Sequence, residues 1–178
     1  MGYTTDFEGK FDISPAPLSP EHANYLRQFA ETRRQTWYVE KIVDASDPAR
    51  EAALLPVGPE GAYFTGAVGS FGQEIGARVK DTNHPPIGQP GLWCQWVPSP
   101  SGEHIEWDQG EKFYHYTEWL DYLIEHFLKP WGYVLDGEVF WQGEDPDDFG
   151  KIVVVRNVVA EWHGRRTYEP STVPRDEA

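Results

Sequence analysis

The chain has 178 residues and carries 29 acidic against 15 basic side chains, a formal net charge of −14. Binding to nucleic acid or to an anionic membrane surface depends on clustered Lys and Arg, so this charge excludes non-specific binding of either kind. Residues 101–150 contain thirteen acidic and two basic residues and therefore hold most of the excess charge.

Cys94 is the single cysteine of the chain. A single cysteine excludes an internal disulfide, and its presence fits a reducing compartment. The N-terminus lacks the pattern of a secretory signal, and no run of ~18 apolar residues predicts a membrane span. We therefore expect a cytoplasmic protein. Cys94 stands between Trp93 and Trp96 in an apolar run, where a thiol behaves as a small hydrophobic side chain.

The N-terminal third predicts one strand and one helix. Alternation in GYTTDFEGKFDIS predicts a strand that is broken at Gly9. Ser19 followed by Pro20 is typical of a helix start, and apolar spacing extends that helix to about residue 34. Residues 35–55 are expected to be partly helical and weakly packed.

Residues 56–91 predict a long loop, because eight glycines and five prolines fall within this segment. Loops of such length are usually functional or flexible. The run GAVGSFG, with Gly66, Gly69 and Gly72, has the glycine content of a phosphate loop. It lacks the Lys-Ser/Thr ending, so we expect a flexible loop instead.

The C-terminal half predicts strands around one aromatic helix. Leu92–Val97 and His104–Trp107 read as a hairpin, Asp136-Gly137 as a tight turn, and GKIVVVRNVVAEW as two further strands. The expected fold is α+β: an antiparallel sheet of five or six strands with a C-terminal meander, one long aromatic helix on a face and an N-terminal flanking helix. Residues 1–164 are predicted to form a single domain, and 165–178 a mobile polar tail.

The spacing of side chains predicts a helix over about 112–128 with two stripes of mostly aromatic and apolar side chains on its surface. One is a core face, with Phe113, Tyr116, Leu120, Leu123, Ile124 and Phe127. The second consists of His115, Trp119, Tyr122 and His126, and it either packs under the glycine-rich segment or forms a ligand or partner surface. A shared metal site is disfavoured, because the two histidines are separated by about 16 Å along a helix.

Acidic residues offer three further interpretations. Glu144, Asp145, Asp147 and Asp148 form a solvated turn, a partner contact or a weak site for a hard cation, without the spacing of an EF-hand. Asp108 is the expected N-cap of the aromatic helix. Alternatively Glu106 or Asp108 acts with His115 in acid–base chemistry. We expect no metal site and no cofactor.

The stretches GYTTDFEG, PPIGQPGLWCQW and IEWDQGEKFYHYTEWLDYLIEHFLKPWGYVLDGEVFWQGEDPDDFG resemble a family of small hypothetical proteins of actinobacteria and their phages. The resemblance covers most of residues 2–160. That family carries no assigned activity, so the resemblance transfers no functional residue. It implies a phage or mobile-element setting and favours small proteins that bind and modulate host factors.

Three functions follow in order of preference. The first is an acidic, non-enzymatic binding protein that presents the surface around residues 103–148 to a host or phage protein with a basic surface. Carboxylates arrayed on rigid elements can mimic nucleic acid at such a surface. The second is a small-ligand, nucleotide-like binder that uses Trp93, Trp96, Trp119 and Tyr122 as stacking platforms. The third is a small hydrolase. Direct nucleic-acid or membrane binding is not expected, and the sequence leaves the oligomeric state open.

Overall fold

The computed structural model describes residues 2–66 and 76–170, which adopt an α+β fold. A 3₁₀ turn covers Pro59–Gly61, and a π-helical turn covers Ile124–Leu128. The helices are α1 (Pro20–Glu31), α2 (Val39–Ile42), α3 (Pro48–Ala52) and α4 (Tyr116–Leu123). The strands are β1 (Thr5–Ser14), β2 (Thr36–Trp37), β3 (Val79–Asp81), β4 (Trp96–Pro98), β5 (His104–Trp107), β6 (Val134–Gly143), β7 (Phe149–Val155) and β8 (Val158–His163).

Six strands form one antiparallel sheet, within the predicted five or six, and their order is β4-β5-β1-β6-β7-β8. The first strand of the chain lies at the centre, where β1 pairs with β5 on one side and along the whole of β6 on the other. β6, β7 and β8 form the expected C-terminal meander. The short strands β2 and β3 pair separately. β3 lies in the region predicted as a long loop, and β2 lies in the region predicted to be partly helical.

The predicted strand break at Gly9 and the predicted tight turn at Asp136-Gly137 are wrong, because β1 and β6 run without interruption through these glycines. The two backbones approach so closely that a Cβ at Gly9 would lie 2.6 Å from the carbonyl oxygen of Glu138. A Cβ at Gly137 would lie 2.7 Å from the carbonyl oxygen of Lys10. Both glycines have positive φ, 121° and 149°, so they permit a close strand contact instead of a chain reversal.

The helix α1 confirms the predicted start at Ser19, whose hydroxyl accepts a hydrogen bond from the backbone N–H of His22 at 3.2 Å. The helix ends at Glu31, three residues before the predicted limit. Thr32 is extended there. Residues 35–55 contain the short helices α2 and α3, but they are well packed, since Ile42 is fully buried with Trp37 and Phe64 in a second, smaller core.

The aromatic helix α4 begins at Tyr116, several residues later than predicted. Lys112 and His115 both have positive φ, 57° and 56°, so a right-handed helix cannot pass through them. Phe113 still enters the core, but from an irregular segment. The predicted N-cap at Asp108 is therefore wrong. Its carboxylate accepts a hydrogen bond from the backbone N–H of Gly110 at 2.7 Å in a local turn.

Both stripes of α4 are packed. Leu120 and Leu123 belong to the core that faces the sheet. On the other side, Trp119 and Tyr122 contact Phe29 of α1, with ring centroids at 5.9 and 6.2 Å. Through Trp119 and Tyr122 the second stripe therefore fills an interface between α4 and α1.

We expect Trp119→Ala to lower the free energy of unfolding by about 3–5 kcal/mol, the usual cost of removing a large buried aromatic side chain. Trp119 is fully buried, so the substitution leaves a cavity between α1 and α4. Urea denaturation monitored by circular dichroism gives the value. Tyr114→Ala is the control, because Tyr114 is an aromatic neighbour that is 49% exposed. Equal stability of the two variants would contradict the core assignment.

Candidate functional site

The six-stranded sheet has one covered face and one open face. Along β1 and β6, alternate side chains such as Phe11, Leu135 and Val139 are buried against the helices. The side chains between them point the other way and are mostly exposed. No helix of the described residues packs on that second side. We call it the open face.

Carboxylates dominate the half of the open face that β5, β1 and β6 form. Within the part of the chain that the structure describes, two lysines, Lys10 and Lys151, stand among or beside them. Lys151 Nζ is 2.7 Å from Glu138 Oε2, and Lys10 Nζ is 3.1 Å from His104 Nε2. Both cations are therefore already engaged within the sheet. The carboxylates of this acidic half are Asp6, Glu8 and Asp12 of β1, Glu106 of β5, and Asp136 and Glu138 of β6.

Two of these carboxylates stand directly opposite each other, since Asp12 pairs with Asp136 across β1 and β6. Like charges in such a position destabilise a sheet. Each finds one donor: His104 Nδ1 lies 2.8 Å from Asp12 Oδ1, and the backbone N–H of Arg156 donates to Asp136 at 2.7 Å. The fold thus gives each of the two carboxylates a hydrogen-bond partner.

A cleft of about 570 Å³ opens in the acidic half between β1 and β5. It exists because β5 pairs with β1 only around Phe11 and Asp12, so the N-terminal part of β1 has no neighbour on that side. The side chains of Asp6, Glu8 and Glu106 line this cleft together with Trp107 and Gln109. It is a negatively charged recess with an aromatic wall.

The other half of the open face, on β6, β7 and β8, is apolar. Phe140 is 53% exposed and Trp162 is 60% exposed, and both lie in one cross-strand row with Lys151 between them. Val155 and Val158 continue the exposed apolar strip at the far end. Contiguous apolar surface of this kind marks interaction sites.

The acidic loop predicted as a partner surface, 144–148, is exposed but tied to its surroundings. Glu144 accepts a hydrogen bond from the backbone N–H of Thr4 at 2.7 Å, and Asp148 accepts one from the Tyr3 hydroxyl at 2.5 Å. Asp145 caps the turn by accepting from the backbone N–H of Asp147 at 2.9 Å, and Asp147 pairs with Arg166 at 3.3 Å. These acids hold the loop against the chain ends.

Sequence reasoning missed the acidic half of the open face. The available signal was the alternation of charged residues in DFEGKFD, which places Asp6, Glu8, Lys10 and Asp12 on one side of a strand. That pattern does not reveal which side of the strand the helices cover.

Of the aromatic residues predicted to face a ligand, Trp96, Trp119 and Tyr122 are buried in the core and are corrected here to structural residues. Trp96 lies under Phe7 and Phe11. The physical reason is that helix α1 covers the side of the sheet and of α4 that the prediction left free.

His126 remains at the surface, and it ends the second stripe of α4. Its ring stacks on Tyr122 with centroids 4.1 Å apart, and its Nδ1 lies 2.8 Å from the Tyr63 hydroxyl. Burial lowers the pKa of this imidazole. A shallow recess of about 310 Å³ beside it contains Gly88 of the glycine-rich segment.

Trp93 is the one predicted ligand tryptophan that stays accessible, at 36% exposure. It forms a wall of two adjacent clefts of about 520 and 420 Å³. The first also contains Arg27, Glu31 and Asp108, and the second contains His115. The structure thus brings Trp93 and His115 into one cleft.

The residues of the hydrolase hypothesis are not brought together. The carboxylate near His115 is that of Glu118, at 3.8 Å, whereas Asp108 lies in the other cleft and Glu106 in the acidic recess. Burial raises the pKa of Cys94 to about 12, so this thiol is not a nucleophile at neutral pH.

Within residues 2–66 and 76–170, no group of three His, Cys, Asp or Glu side chains is placed to hold a metal ion. The glycines Gly69 and Gly72 of the loop motif, and residues 171–178 of the predicted tail, lie outside the described residues.

None of the helices in the described part of the chain has the length and apolar character needed to cross a membrane. Comparison with family models, with curated proteins and with solved structures gives no match.

Asp108 provides a pH-dependent prediction. Burial raises the pKa of its carboxyl, so the folded protein holds this proton more tightly than the unfolded chain. The ionised form therefore opposes folding at neutral pH, and that cost disappears as the pH falls through the raised pKa. We expect Asp108→Asn, which keeps an acceptor for the Gly110 N–H, to raise the melting temperature at pH 7.

The gain should vanish below about pH 4, where the unfolded carboxyl is also protonated. Melting curves measured between these pH values test this, with Glu111→Gln as the exposed control. A gain that is constant across the pH range would contradict the assignment.

Proposed function

We propose that this protein is a non-enzymatic binding protein that docks a positively charged protein segment on the acidic half of its open face. The observation that supports the proposal is the set of six carboxylates on adjacent strands, opposed by two lysines that are both engaged locally. The Asp12–Asp136 pair supports it further. A pairing that costs stability in the free protein becomes favourable when a cation binds between the two groups.

Charge complementarity selects the occupant. A second copy of this chain would bring another net charge of −14 to the face, and nucleic acid would be repelled in the same way. An Arg- or Lys-rich protein segment fits instead. Arg suits the site because its planar guanidinium binds carboxylates with two parallel hydrogen bonds.

The geometry of the face also matches an extended segment. Neighbouring strands of a sheet lie about 4.8 Å apart, so carboxylates on β5, β1 and β6 form a regular array. The recess beside Glu8 and Glu106 receives one long basic side chain, and its aromatic wall, Trp107, contacts the cation. A rigid array of this kind imitates a phosphate track, so the partner we propose is a host or phage protein whose basic site normally holds nucleic acid.

Charge reversal on the open face tests the proposal. Asp6→Lys with Glu8→Lys should weaken binding of a short Arg-rich peptide by at least tenfold at low salt, because two of the six carboxylates become repulsive. For the unaltered protein, affinity should fall steeply as salt rises through the range where surface charges are screened, about 0.1–0.5 M. Isothermal titration calorimetry measures both effects.

Glu40→Lys with Asp44→Lys is the matched control. These exposed residues in and beside α2 lie outside the six-stranded sheet, and their reversal changes the net charge by the same amount. The control should retain most of the affinity. Equal losses in the two double variants would show that binding follows net charge alone, and the docking face would be rejected.

A second candidate function is the binding of a small planar ligand at Trp93. The specific observation is that this exposed indole separates two clefts, one with Arg27 and Asp108 and one with His115. A flat heteroaromatic ring stacks on the indole, and Asp108 accepts a hydrogen bond from its N–H groups. The carboxylate favours a ligand with N–H donors or a positive charge over an anionic nucleotide.

Trp93→Ala should abolish binding of such a ligand and change stability little, because the indole is partly exposed. A panel of free nucleobases, nucleosides and aromatic amines, screened by ligand-observed NMR, is the measurement. Trp162→Ala is the control, an exposed tryptophan far from both clefts on β8. Binding that persists in Trp93→Ala would remove this candidate.

A further inference from the structure

The two edges of the six-stranded sheet are protected unequally. β4 has three residues, includes Pro98 and packs beside α1. β8 has six residues, Val158–His163, without proline or lysine, and five of them are exposed. In the described part of the chain β8 pairs with β7 alone. Long edge strands that lack such protection are sites for pairing with another strand.

The hairpin register decides which backbone groups of β8 face outward. Val155 and Val158 flank the two-residue turn 156–157, whose residues have φ of 48° and 70°. In a two-residue hairpin of this kind the flanking residues form a hydrogen-bonded pair, so Val155 and Val158 form one. Hydrogen-bonded and non-hydrogen-bonded pairs alternate along an antiparallel ladder. The N–H of Gly164 donates to the carbonyl of Phe149 at 2.7 Å, as this alternation requires. The residues whose N–H and C=O groups point outward are Val159, Glu161 and His163.

We propose that two copies of this chain pair antiparallel through β8, with the two-fold axis at Ala160. The outward groups of Val159 then meet those of Glu161 in the second copy, and the two sheets become one continuous sheet. This register places Val158 opposite Trp162 of the second copy, on both sides of the axis. These side chains are 68% and 60% exposed in the single chain.

Self-complementarity argues for a second copy over other occupants. An isologous interface must match itself about the two-fold axis, and β8 does so with a small residue at the centre. Ala160 lets the two strands approach, while a Val–Trp pair closes on either side. Cross-strand pairs of an aromatic and a β-branched side chain are stabilising in antiparallel sheets.

The local charge permits this approach. Residues 151–166 contain four basic residues and one acidic residue, a net charge of +3, so the overall negative charge of the chain does not extend to this edge. Lys151 and Arg166 are paired with Glu138 and Asp147. A Lys- or Arg-rich segment would find no carboxylate array at this edge. The inference is therefore independent of the proposed partner of the acidic half.

The oligomeric state of the full chain tests the inference. Light scattering after size exclusion and sedimentation equilibrium, over a range of concentrations, should show a reversible dimer. Trp162→Lys should be monomeric, because it removes the apolar pair and places charge on the edge strand. Phe140→Lys is the matched control: it is also an exposed aromatic of the open face, but it lies on β6, away from the edge. It should remain dimeric.

A cysteine variant tests the register. In a non-hydrogen-bonded antiparallel pair the two Cα atoms lie about 4.5 Å apart, within the ~4.4–6.8 Å range of a disulfide. Ala160→Cys should therefore form a covalent dimer under mild oxidation, whereas Val155→Cys, which is exposed on β7, should not. The natural Cys94 is buried and does not compete.

A monomeric unaltered protein at every concentration would overturn the inference. So would a Trp162→Lys variant that stays dimeric, or equal cross-linking of the two cysteine variants. Binding of the Arg-rich peptide by monomeric Trp162→Lys would leave the proposed function standing, so the two proposals fail separately.

Discussion

Four consecutive backbone carbonyls, those of residues 62–65, each accept a hydrogen bond from a side chain of α1 or its neighbourhood. This segment pairs with no strand, so its polar groups would otherwise be buried without partners, at a cost of about 1–3 kcal/mol each. The donors are Arg34 and Gln89 to Ala62, Tyr25 to Tyr63, Arg34 to Phe64, and Thr32 to Thr65.

Arg34 is the centre of that network. Its guanidinium is fully buried, lies 4.2 Å from the centre of the Phe29 ring, and donates to two carbonyls at 2.9 Å. Burial lowers its pKa, yet an arginine keeps its charge in proteins. Gln89 extends the network to the hydroxyl of Tyr122 at 3.0 Å. The network therefore joins the backbone of residues 62–65 to Tyr122 in the second stripe of α4.

The two faces of the sheet consequently have different roles. On the covered face the aromatic side chains pack in the main hydrophobic core. The buried indole of Trp119 is one of them. The open face consists mostly of exposed side chains and contains the cross-strand Asp12–Asp136 pair.

The sequence by itself determined the α+β class, the start of α1, the meander and the core stripe of α4, because these follow from local periodicity, capping and turn chemistry. It could not show that Gly9 and Gly137 lie inside paired strands, since their role is a close approach between segments distant in sequence. It also could not decide whether Trp119 was core or pocket. Only the tertiary structure placed Phe29 against it and left Asp12 and Trp162 exposed, because which face of a strand or helix is covered depends on where the other elements pack.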